Sequence, residues 1–320
     1  MQENMILEYQ PGRSFDYMKE FATGFDLPYS QNYMEFDASV GNGFIKTIDI
    51  TEGFRIVLNK IEYKRTLVIK KKETDFSNDL IVFRFMYIIS SDKDYLSNVQ
   101  VVNNMVNMED VMYANTNVCH LIISIKAGIL HNMLDPGQEM EELSSFIFNF
   151  TKPFLYQETV TPEMKNIIRE LMEHTSHNKL EKFYCKTKVS ELIYEFFSRF
   201  LRRNTFVFNS MNKGDIEKIM HIEKLILKDF SKPPVLSELA IAIGMSETKM
   251  KALFKKIFED SIYNYYSSAR MIEAASMLKN NRDMPVSEVG YSLGFSNLSH
   301  FSKMFKRYIG MKPKEYAMRK

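Results

Sequence analysis

The segment "LSELAIAIGMS" (Leu236–Ser246) returns fifty residues later as "VSEVGYSLGFS" (Val286–Ser296). Leu239 stands over Val289, Ala240 over Gly290, Ile243 over Leu293, Gly244 over Gly294 and Ser246 over Ser296. After the serine the second copy has one extra residue. Met250 then falls over Phe301, Phe254 over Phe305, and Lys255-Lys256 over Lys306-Arg307. A repeat of this kind has few compact solutions. The small residue lets a short helix pack closely on a second one, and the glycine tolerates the positive φ of a tight reversal. The serine caps the helix that follows. Met250, Leu253 and Phe254, like Phe301, Met304 and Phe305, then share an inward face at helical spacing. Two helix-turn-helix units are expected.

Between the copies, Tyr263–Asn281 carries Tyr266, Ala269, Met271, Ala274, Ala275 and Leu278, a pattern for a helix packed on both units. About 17 of these residues at 1.5 Å each make a rigid spacer of roughly 25 Å. That length can hold two second helices near one turn of duplex DNA, about 34 Å.

Charge follows the same division. Residues 213–320 hold 19 Lys+Arg and 12 Asp+Glu, a balance of +7, whereas residues 1–212 hold 23 and 28, a balance of −5. A basic C-terminal third on an acidic body points to a polyanionic partner for that third.

The segment Ala269–Arg319 resembles the signature of the AraC/XylS family of bacterial transcription regulators almost throughout, and residues 213–320 resemble that family's DNA-binding domain. The resemblance implies a seven-helix domain with two helix-turn-helix units and no cofactor. It implies base-edge contacts from Thr248, Lys251 and Ala252 in the first unit. In the second they fall on Ser299, His300 and Lys303, with Ser302 nearby. Lys255, Lys256, Lys306 and Arg307 are placed near phosphates, where they position without specifying. Two residues depart from the family's habit. Ala252 stands where a long polar side chain is frequent and can touch only a thymine methyl. Lys303 stands where arginine is frequent and lacks the arginine fork.

The first 150 residues read differently. "GFIKTIDI", "GFRIVLNKIEYKRTLVIK", "DLIVFRFMYIIS" and "VMYANTNVCHLIISIKAG" mix β-branched and aromatic residues between polar turns, as in a β-sandwich or barrel. From Thr161 the period becomes helical. Thr161-Pro162-Glu163 reads as a cap, a first-turn proline and a first-turn acid. A second helix spans about Lys179 to Arg203, with Phe183, Val189, Leu192, Ile193, Phe196, Phe197, Phe200 and Leu201 in a stripe wide enough for core or for a dimer seam. "NTFVFNSMNKGD" reads as a linker, after which Asp215 caps the next helix.

In the family the partner domain is commonly a cupin-like sensor followed by dimerising helices. The expected fold is therefore a two-domain α+β chain. Residues 1–205 form a β-rich cupin-like barrel with dimerisation helices, 206–214 a linker, and 215–320 an all-α domain with two helix-turn-helix units. Leu180–Phe197 resembles the PchR-like subgroup, related to the pyochelin receptor regulator.

The residues offer little for catalysis. A metal-dependent cupin needs a close His-x-His set, but His120 and His131 stand alone. His174 and His177, three apart, read as a polar helix end rather than a metal site. Cys119 and Cys185 form no CxxC and read as buried apolar residues of a reducing compartment. Phe44, Phe54, Phe83, Phe85 and Tyr87 fit barrel core, with a ligand pocket as the alternative. No signal peptide or membrane span is expected.

The expectation is a cytoplasmic regulator, not an enzyme, with double-stranded DNA as partner. One protomer reads two successive major grooves. The layout also suggests a homodimer, a small-molecule effector and a contact to RNA polymerase. Two rivals stand beside it: an N-terminal domain that only dimerises or binds a protein, and an enzyme–DNA-binding fusion.

Overall fold

A computed structural model describes residues 5–9, 17–30, 32–36, 40–71, 79–89, 95–103, 109–112, 114, 117–135, 147–148, 150, 154–174, 179–202, 213–258, 260–280 and 284–318. The strands are β1 (Met5–Tyr9), β2 (Tyr33–Phe36), β3 (Gly41–Thr51), β4 (Phe54–Tyr63), β5 (Leu67–Lys71), β6 (Leu80–Ile89), β7 (Tyr95–Asn103), β8 (Glu109–Met112), β9 (Asn117–Lys126) and β10 (Leu155–Thr159). The N-terminal helices are α1 (Tyr17–Phe25), α2 (Ala127–Leu134), α3 (Pro162–Glu173) and α4 (Glu181–Arg202).

Seven strands pair antiparallel in the order β10-β7-β6-β9-β4-β3-β2, while β1, β5 and β8 form a separate small sheet in which β1 runs parallel to β5. The larger sheet is open: β2 and β10 are its edges, and among the described residues no pairing joins them into a cupin-like barrel.

Alternation assigns its two faces. On one, Leu58 and Phe85 flank Leu121, and Ile56 and Phe83 flank Ile123. The helices α3 and α4 cover this face with Met164, Ile168, Val189, Leu192 and Phe196. The Phe83 ring meets Phe196 and Phe197 edge-on at 5.6 and 6.0 Å. Phe54, Phe83, Phe85 and Tyr87 thus lie in packed core, and Phe44 stacks at 5.8 Å on exposed Tyr33. Burying one such aromatic side chain contributes roughly 1.5–3 kcal/mol.

Local chemistry explains the helix starts. Thr161 Oγ1 accepts from Met164 N at 3.2 Å and Pro162 opens α3, as expected. The α4 stripe divides. Val189, Leu192, Ile193, Phe196, Phe197 and Phe200 are core, but Phe183 is 70% exposed on the opposite side. Asp215 is not a cap: its helix begins at Lys213, and its carboxylate pairs with Lys249 instead. Most of the expected linker lies outside the described residues.

The C-terminal domain comprises α5 (Lys213–Lys228), α6 (Leu236–Ala242), α7 (Glu247–Phe258), α8 (Ile262–Asn280), α9 (Val286–Ser292), α10 (Leu298–Ile309) and α11 (Pro313–Met318). Among the described residues these are seven helices, the number that the resemblance implies. The domain packs on the back of the large sheet. Val102 and Leu155 share a core with Ile219, Met250, Phe254 and Tyr266. Ser276 Oγ on α8 donates to Ala114 O at 2.8 Å.

Candidate nucleic-acid interface

The duplicated sequence folds into two equivalent hairpins, α6–α7 and α9–α10. Their turns make the same bonds. Gly244 N donates to Ile241 O at 3.0 Å and Met245 N to Ala240 O at 3.0 Å; Gly294 N donates to Tyr291 O at 2.8 Å and Phe295 N to Gly290 O at 3.0 Å. This double bond closes the last carbonyls of the first helix and needs a left-handed residue after it. Gly244 and Gly294 supply it, at φ 58° and 77°. Gly290 also has a steric role, since a Cβ there would stand 2.7 Å from Leu298 Cδ2 and 3.2 Å from Phe301 Cδ1.

The caps differ. Ser246 Oγ accepts from Lys249 N at 3.3 Å, as expected for α7. In the second unit Ser296 is not the cap. The inserted Asn297 takes that role, and its Oδ1 accepts from Ser299 N at 2.9 Å and His300 N at 3.1 Å. A one-residue insertion moves the cap one place on, and a short amide side chain performs it equally well.

Burial fixes which side of each second helix faces out. Met250 and Phe254 on α7, like Phe301 and Phe305 on α10, are fully buried. Thr248, Lys251, Ala252, Lys255 and Lys256 are exposed on α7; Ser299, His300, Lys303, Lys306 and Arg307 are exposed on α10, and Ser302 is half-exposed. Each set thus shares one outward face of its helix. Partial burial lowers the Lys256 ammonium below its ordinary value. Lys251 is engaged with Glu247 Oε1 at 2.5 Å, one turn back.

Two contributors were not singled out from sequence. Lys249 is exposed on α7 and reaches Asp215; the one-residue insertion that sets Met250 over Phe301 also sets it over His300. Arg270 is buried on α8, donates from Nε to Leu293 O at 2.9 Å and also from Nη2, and lies 3.8 Å from the Phe295 ring centroid. A polar residue in an otherwise apolar helix pattern was its only signal.

Elsewhere, the described residues hold no group of three His, Cys, Asp or Glu arranged for a metal. His120 is buried on β9, His131 meets Phe148 edge-on at 5.3 Å, and His174 stacks on Tyr184 at 4.1 Å; His177 lies outside the described residues. Cys119 and Cys185 are free and buried. Burial, aided by the Glu181 carboxylate and opposed by Lys46, pushes the Cys185 thiol up to about 11. No helix among the described residues is long and apolar enough to cross a membrane.

Two repeated hairpins with outward basic helices define a helix-turn-helix protein, and comparison with known proteins agrees. Residues 239–319 match a helix-turn-helix domain family. The chain is 33% identical over 98 residues to the HTH-type transcriptional regulator GbdR of Pseudomonas aeruginosa, across 31% of this chain and 26% of that protein. It is 28% identical over 161 residues to the HTH-type transcriptional activator CsvR of Escherichia coli, across 47% of this chain and 53% of that one. Among solved structures, an AraC-type transcriptional regulator from Chromobacterium violaceum is 24% identical, covering 33% of this chain and 94% of its own, with a TM-score of 0.31. The chain spans about a quarter of GbdR and about half of CsvR. The C-terminal segment is a helix-turn-helix domain of the AraC type, similar to the corresponding segments of DNA-binding transcription regulators.

Proposed function

We propose that this chain regulates transcription by reading two successive major grooves with α7 and α10 of one protomer. The observation that carries the reading is the pair of identical turns, each presenting a basic outward helix on a rigid spacer. The spacer α8 has 19 residues, which at 1.5 Å each is about 28 Å. Thr248, Lys251 and Ala252 face one groove, and Ser299, His300, Ser302 and Lys303 the next. Lys255, Lys256, Lys306 and Arg307 flank them toward phosphates. Because the two sets differ, the site on DNA is asymmetric.

Titration of the full chain against its own promoter fragment tests this. Lys251→Ala and Lys303→Ala should each weaken binding about five- to fifty-fold. Unchanged affinity in both variants rejects the assignment of grooves.

The N-terminal half is read as the controlling part. In support, its open sheet packs directly on the core of the first reading unit, through Val102 and Leu155. A small molecule bound in that half would act through this contact, as would a partner protein. The cupin-like reading is kept for its sensor role, on an open sheet.

A homodimer is read from a second surface. Leu180, just before α4, and Phe183 and Tyr194 on it are 65, 70 and 63% exposed. They can bury against the same residues of a second copy. Leu180→Glu combined with Phe183→Glu should turn dimer into monomer by sedimentation equilibrium, and an unchanged mass rules this seam out.

A further inference from the structure

The two reading helices are not equally available. On α7 two of the outward lysines, Lys249 and Lys251, are held by carboxylates. Lys249 Nζ lies 2.9 Å from Oδ1 and 2.9 Å from Oδ2 of Asp215, on α5. Lys251 Nζ lies 2.5 Å from Glu247 Oε1. On α10 the outward Lys303 has no carboxylate partner among the described residues, and the residues over Lys249 and Lys251 are His300 and Ser302. The repeat therefore carries acids against Lys249 and Lys251 of one unit and, among the described residues, none against Lys303 of the other.

A phosphate or base edge that takes Lys249 or Lys251 must displace a carboxylate already bound there. Exposed ion pairs of this kind are worth about 0.2–1 kcal/mol each. A lysine that stays paired with its acid neutralises no phosphate and releases no condensed counterion from the DNA, so its contribution to salt dependence is reduced. Both effects weaken the first unit relative to the second.

We infer that Asp215 and Glu247 are built-in competitors for DNA. They hold Lys249 and Lys251 in the free protein and make the first unit the weaker, more selective reader. The second unit engages with its charge unopposed; the first docks only where its groove contacts outweigh the exchange. Lys249 becomes a further DNA-contacting residue, and Asp215 and Glu247 set specificity through the lysines they hold. The inference rests on the two-groove reading.

The test uses the full chain, its own promoter fragment and a range of salt concentrations. Asp215→Asn and Glu247→Gln should each tighten binding about two- to five-fold. The slope of log affinity against log salt should steepen by about one for each lysine freed. Since any lost acid attracts DNA in general, the deciding measurement is a double-mutant cycle. Lys249→Met should cost little alone and about two- to five-fold more in the Asp215→Asn background. Lys251→Met, which weakens binding by itself, should cost about two- to five-fold more in the Glu247→Gln background than in the wild type.

Additive effects in both cycles overturn the inference, since a general charge effect gives no coupling. Glu247→Gln breaks a pair within one helix, so its cycle remains informative should Asp215→Asn loosen α5 from α7. Failure of the underlying reading looks different: wild-type protein would then show no salt-dependent binding to the fragment, and Lys303→Ala would change nothing. Wild-type binding with additive cycles rejects the competitors alone.

Discussion

Gly294→Ala should destabilise the protein by about 2–5 kcal/mol, while Gly244→Ala at the equivalent position should cost only about 1–2 kcal/mol. Both glycines have positive φ, so alanine meets the left-handed penalty at each. Their surroundings separate them. A Cβ on Gly294 would stand 1.8 Å from Ser231 O and 2.7 Å from its carbonyl carbon, whereas one on Gly244 meets nothing nearer than Lys218 Nζ at 3.8 Å. The obstructing backbone is held in place. Ser231 N and Oγ both donate to Asp229 Oδ1, at 2.8 and 2.6 Å, and these bonds hold the Asp229 carboxyl below its usual range. Relief therefore requires moving a bonded loop or lifting the α9–α10 turn away from it. Urea unfolding of both variants, followed by circular dichroism, checks the order. Equal losses would mean that the penalty is conformational only and that the Ser231 contact yields freely.

That contrast marks how far the sequence could be read. The two hairpins were legible because their constraints are local: a glycine for the turn, a small residue at the crossing, apolar positions three and four apart. The exchange of caps was half-legible. The extra residue after Ser296 was visible, but a serine in the expected place concealed that Asn297 would serve. What depends on distant partners was not legible. Strand alternation located most of the large sheet, yet closure is decided by whether β2 meets β10, and nothing in either strand encodes that. The parallel pairing of β1 with β5 is equally non-local. Phe183 was read in one stripe of α4, for core or a dimer seam, but the helix turns it away from Val189 and Leu192 into solvent. The inward faces of α7 and α10 followed from periodicity, whereas the candidate contacts opposite them came from the family resemblance. Lys249 was missed because its partner Asp215 lies on another helix, and a period cannot show a contact between helices.

Arg270 carries the second large effect. Arg270→Met should cost about 2–4 kcal/mol of stability, since it strips a buried carbonyl of its donors as well as removing a stacked cation. Leu293 is the residue closing α9, and its carbonyl is one of those a helix end leaves without an internal partner. Arg270 donates to it from two nitrogens while its guanidinium lies over the Phe295 ring. One turn earlier on α8, Tyr266 OH donates to Phe230 O at 2.9 Å, beside the same Ser231 that crowds Gly294. The helix between the two units thus grips the second turn and the loop leading into the first. Burial lowers the guanidinium from its ordinary value, yet an arginine stays charged at any pH a folded protein meets. Loss of this grip should therefore loosen the relative placement of α7 and α10 as well as lowering the melting temperature. On promoter DNA, footprints of Arg270→Met should keep protection in one groove and lose it in the other. Arg270→Lys should recover only part of both losses, because an ammonium reaches the carbonyl without the planar fork that stacks on Phe295. Full recovery by lysine would reduce Arg270 to a point charge and remove its role in setting the spacing of the two reading helices.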